Sequence, residues 1–350
     1  MNLELIEALH DLEREKGINS EIIIEAIEAA LVSAYKKNFG TQSNMRVQFD
    51  RGSGEIKVFS RKAIVENITN PKEEIALSEA RKLDPRYELD DVLEIEVTPK
   101  DFGRIAAQTA KQVVVQRIRE AERDMIYDEY SNREGDIVTG VVQRQEGKNV
   151  FVDLGKTEAV LSQNEQIPGE LYKNGDRIKT FIVEVKKTTK GPQIQLSRTH
   201  PGLLKRLFEL EVPEIHDGTV ELKALSREAG ARSKIAVFSK NENVDPVGSC
   251  VGPKGLRVQA IVNELKGEKI DIVKWNSDPV KYIANSLSPA KVVSVDISAD
   301  QKMAKVVVPD YQLSLAIGKE GQNARLAAKL TGWKIDIKSE SQVQPVISEE

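Results

Sequence analysis

Apolar positions along this 350-residue chain change their period several times, and each change marks a new element. Leu5, Leu9 and Leu12 fall at i, i+4 and i+7 and predict a helix that Gly17 and Asn19 break. Ser20 is placed to cap a second helix with Ile23, Ile27, Ala30, Leu31 and Ala34 on one face. The period then drops to two. Met45, Val47 and Phe49 alternate, the Asp50-Arg51-Gly52-Ser53-Gly54 stretch turns, and Ile56 and Val58 alternate again, which predicts a β-hairpin. A short helix over 75–83 and a strand over 92–97 follow. From Phe102 to Tyr130 there is no proline and one glycine, Gly103, so this stretch reads as one long helix leaving the domain. After a polar break at 131–135 come five strand-like runs, at 137–143, 149–154, 158–161, 177–186 and 193–197, separated by turn residues. Five short strands in so few residues is the count of a small OB-type barrel, and Thr199-His200-Pro201-Gly202 ends it.

Residues 203–350 contain an internal repeat. VGPKGLRVQAIVNELKGEKIDI at 251–272 matches IGKEGQNARLAAKLTGWKIDI at 317–337. Each copy has an apolar residue, a G-x-x-G, then Arg257 or Arg325 soon after, a helix, and a closing Lys-Ile-Asp-Ile strand. Two alternating strands precede each copy, at 219–225 and 234–238 in the first and at 292–297 and 304–308 in the second. A helix precedes each pair, at 203–210 and, behind Asp278-Pro279, at 280–287. One G-x-x-G alone is a glycine-rich turn. Two in the same element order predict tandem KH domains, whose GxxG loop clamps about four nucleotides by their backbone. The glycines let phosphates approach without a Cβ, and the next helix offers free N–H groups and its positive dipole end. The predicted contacts are Gly252, Pro253, Lys254, Gly255 and Arg257 in the first copy. In the second they are Gly318, Lys319, Glu320, Gly321, Gln322, Asn323 and Arg325. Pro253 lacks an N–H and Glu320 brings a carboxylate to the phosphate path, and both weaken the expected anion contact.

Charge separates the chain into territories. The formal net charge of −4 conceals −7 over 1–130, +6 over 131–338 and −3 over 339–350. An acidic first third and a basic remainder point to two partners, one of them polyanionic. Within the barrel, Phe151 alternates with Val150, Val152 and Leu154 and is expected on the outer face, where it stacks on a base with Arg144 and Lys148 nearby. On the long helix Arg104, Gln108 and Lys111 share a face, and Arg104 and Lys111 are candidates for a polyanion. No Walker loop or dinucleotide fingerprint occurs. The three histidines (His10, His200, His216) lack ligand spacing, and Cys250 is the sole cysteine, so no catalytic residue, metal or cofactor is expected. No stretch is apolar enough for a membrane span, and the first residues do not read as a signal peptide.

With these motifs in place, the chain resembles the NusA family of bacterial transcription elongation and termination factors over essentially its whole length. The resemblance rests on FGRIAAQTAKQVVVQRIREAER (102–123), EQIPGE (165–170), DPVGSCVGPKGLRVQAIVNEL (245–265) and LAIGKEGQNARLAAKLTGW (315–333). It implies a multidomain α+β protein. Its parts are an N-terminal α/β polymerase-binding domain with a long connecting helix (1–130), a five-stranded S1 barrel (131–200), two type II KH domains (201–276 and 277–345) and an acidic tail (346–350). It further implies a non-enzymatic, cytoplasmic monomer. Its partners would be RNA polymerase, at the flap near the RNA exit channel, nascent single-stranded RNA, and other elongation and antitermination factors. Its role would lie in pausing, intrinsic termination and antitermination. Arg104 and Lys111 would then look toward RNA at that exit. The chain ends at Glu350, where longer relatives carry acidic repeats, so autoinhibition by such repeats is not expected. Where many S1 barrels have a second aromatic, it has Gln145-Glu146-Gly147, which shifts the expected RNA affinity toward the KH pair. The rival readings are an exonuclease-type RNA-processing protein, for which 130 residues without clustered acids leave little room, and a ribosome-associated RNA chaperone.

Overall fold

The computed structural model describes residues 13–14, 19–39, 44–51 and 53–343. The helix expected around Leu5–Leu12 and the tail at 346–350 lie outside them. Contacts divide the chain into two units, Met1–Met125 and Ile126–Glu350.

In the first unit, helix Ser20–Phe39 buries Ile23, Ile27 and Leu31 of the predicted stripe together with Ile24 and Tyr35, while Ala30 and Ala34 are only half-buried. Its cap is Asn19 rather than Ser20: the Asn19 side chain accepts the Glu21 N–H at 2.8 Å. The hairpin pairs Met45–Phe49 with Ile56–Val65 in antiparallel register, Val47 opposite Val58. Strand Ile56–Val65 is long enough to pair also with Val92–Glu96 and, in parallel, with Glu74–Ala76. Ile75 is therefore a strand residue, and the short helix begins only at Leu77. A brief apolar run fits either state, and here a free sheet edge captures it. Helix Phe102–Ser131 contributes Phe102, Ala106, Ala110 and Val114 to this unit's core.

In the second unit five strands close a barrel in the order Ile137–Glu146, Asn149–Asp153, Glu158–Leu161, Gly191–Ser197, Arg177–Thr188. Val138, Val142, Val150, Val152, Leu161, Ile182 and Ile194 fill it. Each KH domain has a mixed three-stranded sheet. The first two strands pair antiparallel and the third joins the second in parallel: Val220–Glu228, Arg232–Ser239 and Lys269–Lys274 in one, Ser294–Ser298, Met303–Val308 and Lys334–Ser339 in the other.

The modules of this unit are joined by buried contacts. Strand Arg232–Ser239 is buried without a break from Ser233 to Val237 because both of its faces are covered. Ile235 and Val237 meet the helices of their own domain. Ala236 and Val273 meet Tyr282 and Leu330 of the second KH domain. Lys234 is fully buried and donates to Asp271 at 2.8 Å and to the Ser288 carbonyl across the junction at 2.7 Å. At the other junction, Ile167 of the barrel joins the core of the first KH domain. Gly230 has no room for a Cβ, which would stand 2.5 Å from Ile167. Arg198, wholly buried, forms a two-bond pair with Glu170 at 2.7 and 2.8 Å and donates to the carbonyls of Lys179 (2.6 Å) and Glu264 (2.9 Å). The EQIPGE stretch thus locks the barrel to the first KH domain, with the Glu165 carbonyl accepting the Arg198 N–H.

Candidate nucleic-acid interface

The two GxxG loops have nearly the same backbone. The first glycines, Gly252 and Gly318, lie at φ 74° and 76°, and the last, Gly255 and Gly321, at 78° and 74°. Between them Lys254 and Glu320 are also left-handed, at φ 52° and 53°, a conformation that disfavours a side chain. Each loop runs from a short helix (Pro246–Val251, Leu313–Ile317) into a longer one (Leu256–Glu264, Gln322–Thr331). Neither longer helix has a side-chain cap at its glycine N-cap; its first N–H, that of Leu256 or Gln322, turns back to the Pro253 or Lys319 carbonyl, so an anion at the loop meets the positive dipole end of the helix rather than that donor.

The four glycines serve two purposes. A Cβ at Gly252 would stand 2.7 Å from Arg257, and one at Gly318 would stand 2.8 Å from the Asn323 backbone nitrogen. These two permit the close approach of loop and helix. At Gly255 and Gly321 the space is open, so those two supply the positive φ and an unobstructed surface.

This geometry corrects the expected roles after each loop. Asn323, not Arg325, is the structural counterpart of Arg257, since both pack against the first glycine of their loop. Arg257 lies beneath the loop, donating to Glu214 at 2.9 Å and to the Ser249 carbonyl at 2.6 Å. Asn323 is 1% exposed and donates to the Leu287 and Ala316 carbonyls, which removes it from the contact set. The residue five positions after the first glycine returns to the inner face of the helix, with Leu326, Ala327 and Leu330. Gln322 and Arg325 both reach Glu228 of the first KH domain, at 2.9 and 2.6 Å. The Arg325 hydrogen bond holds the Glu228 carboxyl below its ordinary pKa. Lys254 and Lys319 remain as exposed cations at the loops, without an ion-pair partner among the described residues.

Glu228 holds Arg325, so a phosphate drawing on Arg325 would have to displace that carboxylate. Glu228→Gln is expected to tighten single-stranded RNA binding a few-fold at low salt, a gain that vanishes at high salt as exposed charges are screened. Filter binding across a salt series checks it, and weaker binding by the variant contradicts it.

In the barrel, Phe151 is half-buried on the side opposite Val150 and Val152, as its alternation predicts. Its face is covered: the Arg144 guanidinium lies 4.3 Å from the ring centroid. Arg144 is in turn paired with Glu158 and Glu146, and these hydrogen bonds, Glu158 first, raise its pKa. A base stacking on Phe151 must displace that cation. Lys148 is exposed at the adjoining turn. In the first unit Arg104, Gln108 and Lys111 are all exposed, and Gln108 and Lys111 edge a groove of about 1050 Å³ walled by Ile56, Phe102, Ala106 and Val115. Sequence reading missed Glu170, Arg198 and Glu228, whose partners are remote along the chain. Cys250 is buried in the core of the first KH domain, and burial pushes its thiol up to about 12. Among the described residues no cluster could hold a metal ion, and no helix is long and apolar enough to cross a membrane.

Comparison with known proteins matches four family models in chain order. They are NusA N-terminal domain (4–124), S1 RNA binding domain (131–197), NusA-like first KH domain (198–275) and NusA-like second KH domain (279–345). Similar relatives include the transcription termination/antitermination proteins NusA of Halalkalibacterium halodurans and Bacillus subtilis. The first is 67% identical over 98% of this chain and 90% of its own. The second is 66% identical over 97% and 92%. A solution structure of the N-terminal domain of NusA from B. subtilis is 61% identical, covering 35% of this chain and 99% of its own, with a TM-score of 0.33. Two GxxG loops of common geometry, a closed S1 barrel and near-full-length identity of this order have one reading: the chain belongs to the NusA family of transcription termination/antitermination proteins.

Proposed function

We propose that this protein is a transcription elongation factor that holds RNA polymerase through residues 1–130 and nascent single-stranded RNA through residues 131–345. It thereby modulates pausing, intrinsic termination and antitermination. The observation that carries the reading is the pair of GxxG loops, alike in backbone to within a few degrees of φ and each opening onto an uncapped helix N-terminus. Gly252, Lys254 and Gly255, with Gly318, Lys319 and Gly321, receive the phosphates. Pro253 and Glu320 limit the affinity, and Arg325 joins once Glu228 yields it. Arg144, Lys148 and Phe151 of the barrel extend the RNA path, and Arg104 and Lys111 of the long helix offer the first unit a contact of its own with RNA. The buried junctions support a fixed spacing between barrel and KH domains, so RNA meets one continuous track. The acidic first unit, with its apolar groove, suits a protein partner better than a polyanion.

The test is a pause assay with purified polymerase. The full chain is expected to lengthen pauses at RNA hairpins. A chain lacking residues 1–125 is expected to lose both polymerase capture on beads and the effect on pausing, while still shifting single-stranded RNA in a gel. Polymerase capture by residues 126–350 alone would overturn the division of roles.

A further inference from the structure

Beyond the GxxG loops, the first KH domain carries a second cavity that the RNA reading does not use. It has a volume of about 320 Å³ and lies at the end of helix Pro246–Val251 away from the GPKG loop. Its walls are Phe238 and Trp275, backed by Val244 and Pro246, and its polar lining comes from Ser239, Asn241, Glu242, Lys274, Asn276 and Ser277. The two rings stand together because parallel pairing sets Val237 opposite Lys274, which brings the next residue of each strand side by side. Their centroids are 5.4 Å apart at 82°. Lys223, at the bulge in the neighbouring strand, lies 5.4 Å from the Phe238 ring centroid and 5.6 Å from that of Trp275. Lys223 and Lys240 share the Glu221 carboxylate and their surplus charge offsets Glu242, which leaves Lys274, without an ion-pair partner among the described residues, as the net cation of the patch. Asn241 and Asn276 spend their side-chain oxygens on the N–H groups of Asn243 and Asp278, which leaves amide donors without an acceptor among the described residues.

An aromatic wall, amide donors and an unpaired ammonium are the features that hold an unpaired base and its phosphate. A six-residue helix spans about 9 Å, so the cavity lies close enough to the GPKG loop to receive a later nucleotide of the same strand. We infer that this cavity is a base pocket: an unpaired nucleotide flanking those clamped by the GPKG loop stacks on Trp275, with Lys274 on its phosphate. The inference rests on the RNA-binding reading and extends it to a site outside the loops.

The chain has two tryptophans, so Trp333→Phe leaves Trp275 as the sole indole reporter. In that background an unstructured 12-nucleotide RNA is expected to quench the emission in step with binding read by gel shift. A 4-nucleotide RNA, filling the loop site alone, leaves the emission unchanged. Lys274→Glu is expected to weaken 12-mer binding several-fold and remove the quench. Lys274→Ala is expected to lower the salt slope by about 0.7. Asn241→Asp, which keeps the acceptor but loses the donor, removes the quench as well. Gel-shift binding with unchanged Trp275 emission and unaltered affinity of the Lys274 variants overturns the pocket and leaves the RNA reading intact. Failure of every RNA to bind overturns both.

Discussion

Arg198→Ala is expected to destabilise the second unit by about 3–5 kcal/mol, the cost of leaving a buried carboxylate without its partner. Arg198 is wholly buried and Glu170 is 3% exposed, so water replaces none of the lost bonds. Burial by itself would lower the Arg198 pKa, but the Glu170 hydrogen bonds together with the charges of Glu170, Tyr172 and Glu264 outweigh it and raise it, as expected for a pair whose geometry offsets its desolvation. The guanidinium also satisfies two carbonyls from different modules, Lys179 on the barrel and Glu264 on the first KH domain. Tyr172 depends on the same carboxylate, donating its hydroxyl to Glu170 at 2.7 Å while accepting the Ile167 N–H. Thermal unfolding of the full chain should show a fall of roughly 10 °C or more in the transition of that unit. The double variant Arg198→Met with Glu170→Leu should recover part of the loss, because two apolar side chains carry no stranded charge. A single Arg198→Ala variant within about 0.5 kcal/mol of the parent would show that the latch is not what joins barrel to KH domain.

The elements visible in the sequence were those with a local signal. The Ser20–Phe39 helix, the hairpin and the repeat strands declare themselves through local spacing, because a packed face must recur every 2 or 3.6 residues, and the long helix through a run without proline. The long-range pairs carry no such signal. Arg198 finds Glu170 28 positions back and Glu264 66 positions on, and Glu228 finds Arg325 97 positions on, all by virtue of module docking. The equating of Arg325 with Arg257 went wrong for a related reason. Residue type suggested the pair, but the helix turn decides it, and five positions beyond the first glycine the second copy has Asn323. The Phe151 prediction shows the opposite balance: alternation placed the ring on the correct side, while the cation covering it depends on Glu158, seven residues away on the neighbouring strand. A cue for the second cavity was present in Trp275, a large aromatic just past a strand end, yet without the register opposite Phe238 it had no partner to give it meaning.

Asp at both Gly255 and Gly321 is expected to abolish detectable single-stranded RNA binding at moderate salt while the protein stays folded. Both positions are open, so the substitution costs only the left-handed backbone, about 1 kcal/mol at each site, and Asp is among the residues that tolerate it best. The new carboxylates stand at the N-terminus of a helix with no side-chain cap, where they compete with a phosphate for the positive dipole end and repel it. Asp at Gly252 or Gly318 makes a different experiment, since the added Cβ meets Arg257 or the Asn323 backbone. Gly318→Asp is expected to be the worse of the two. A backbone nitrogen inside a helix cannot swing aside, whereas an arginine stem can shift once its Glu214 bond loosens. Far-UV circular dichroism with thermal melting separates lost folding from lost binding, and gel shift reads the affinity. If the Gly255/Gly321 double variant stays folded and binds RNA as tightly as the parent, phosphates do not pass over the GxxG loops, and the track must be sought in the barrel and along the Phe238–Trp275 face.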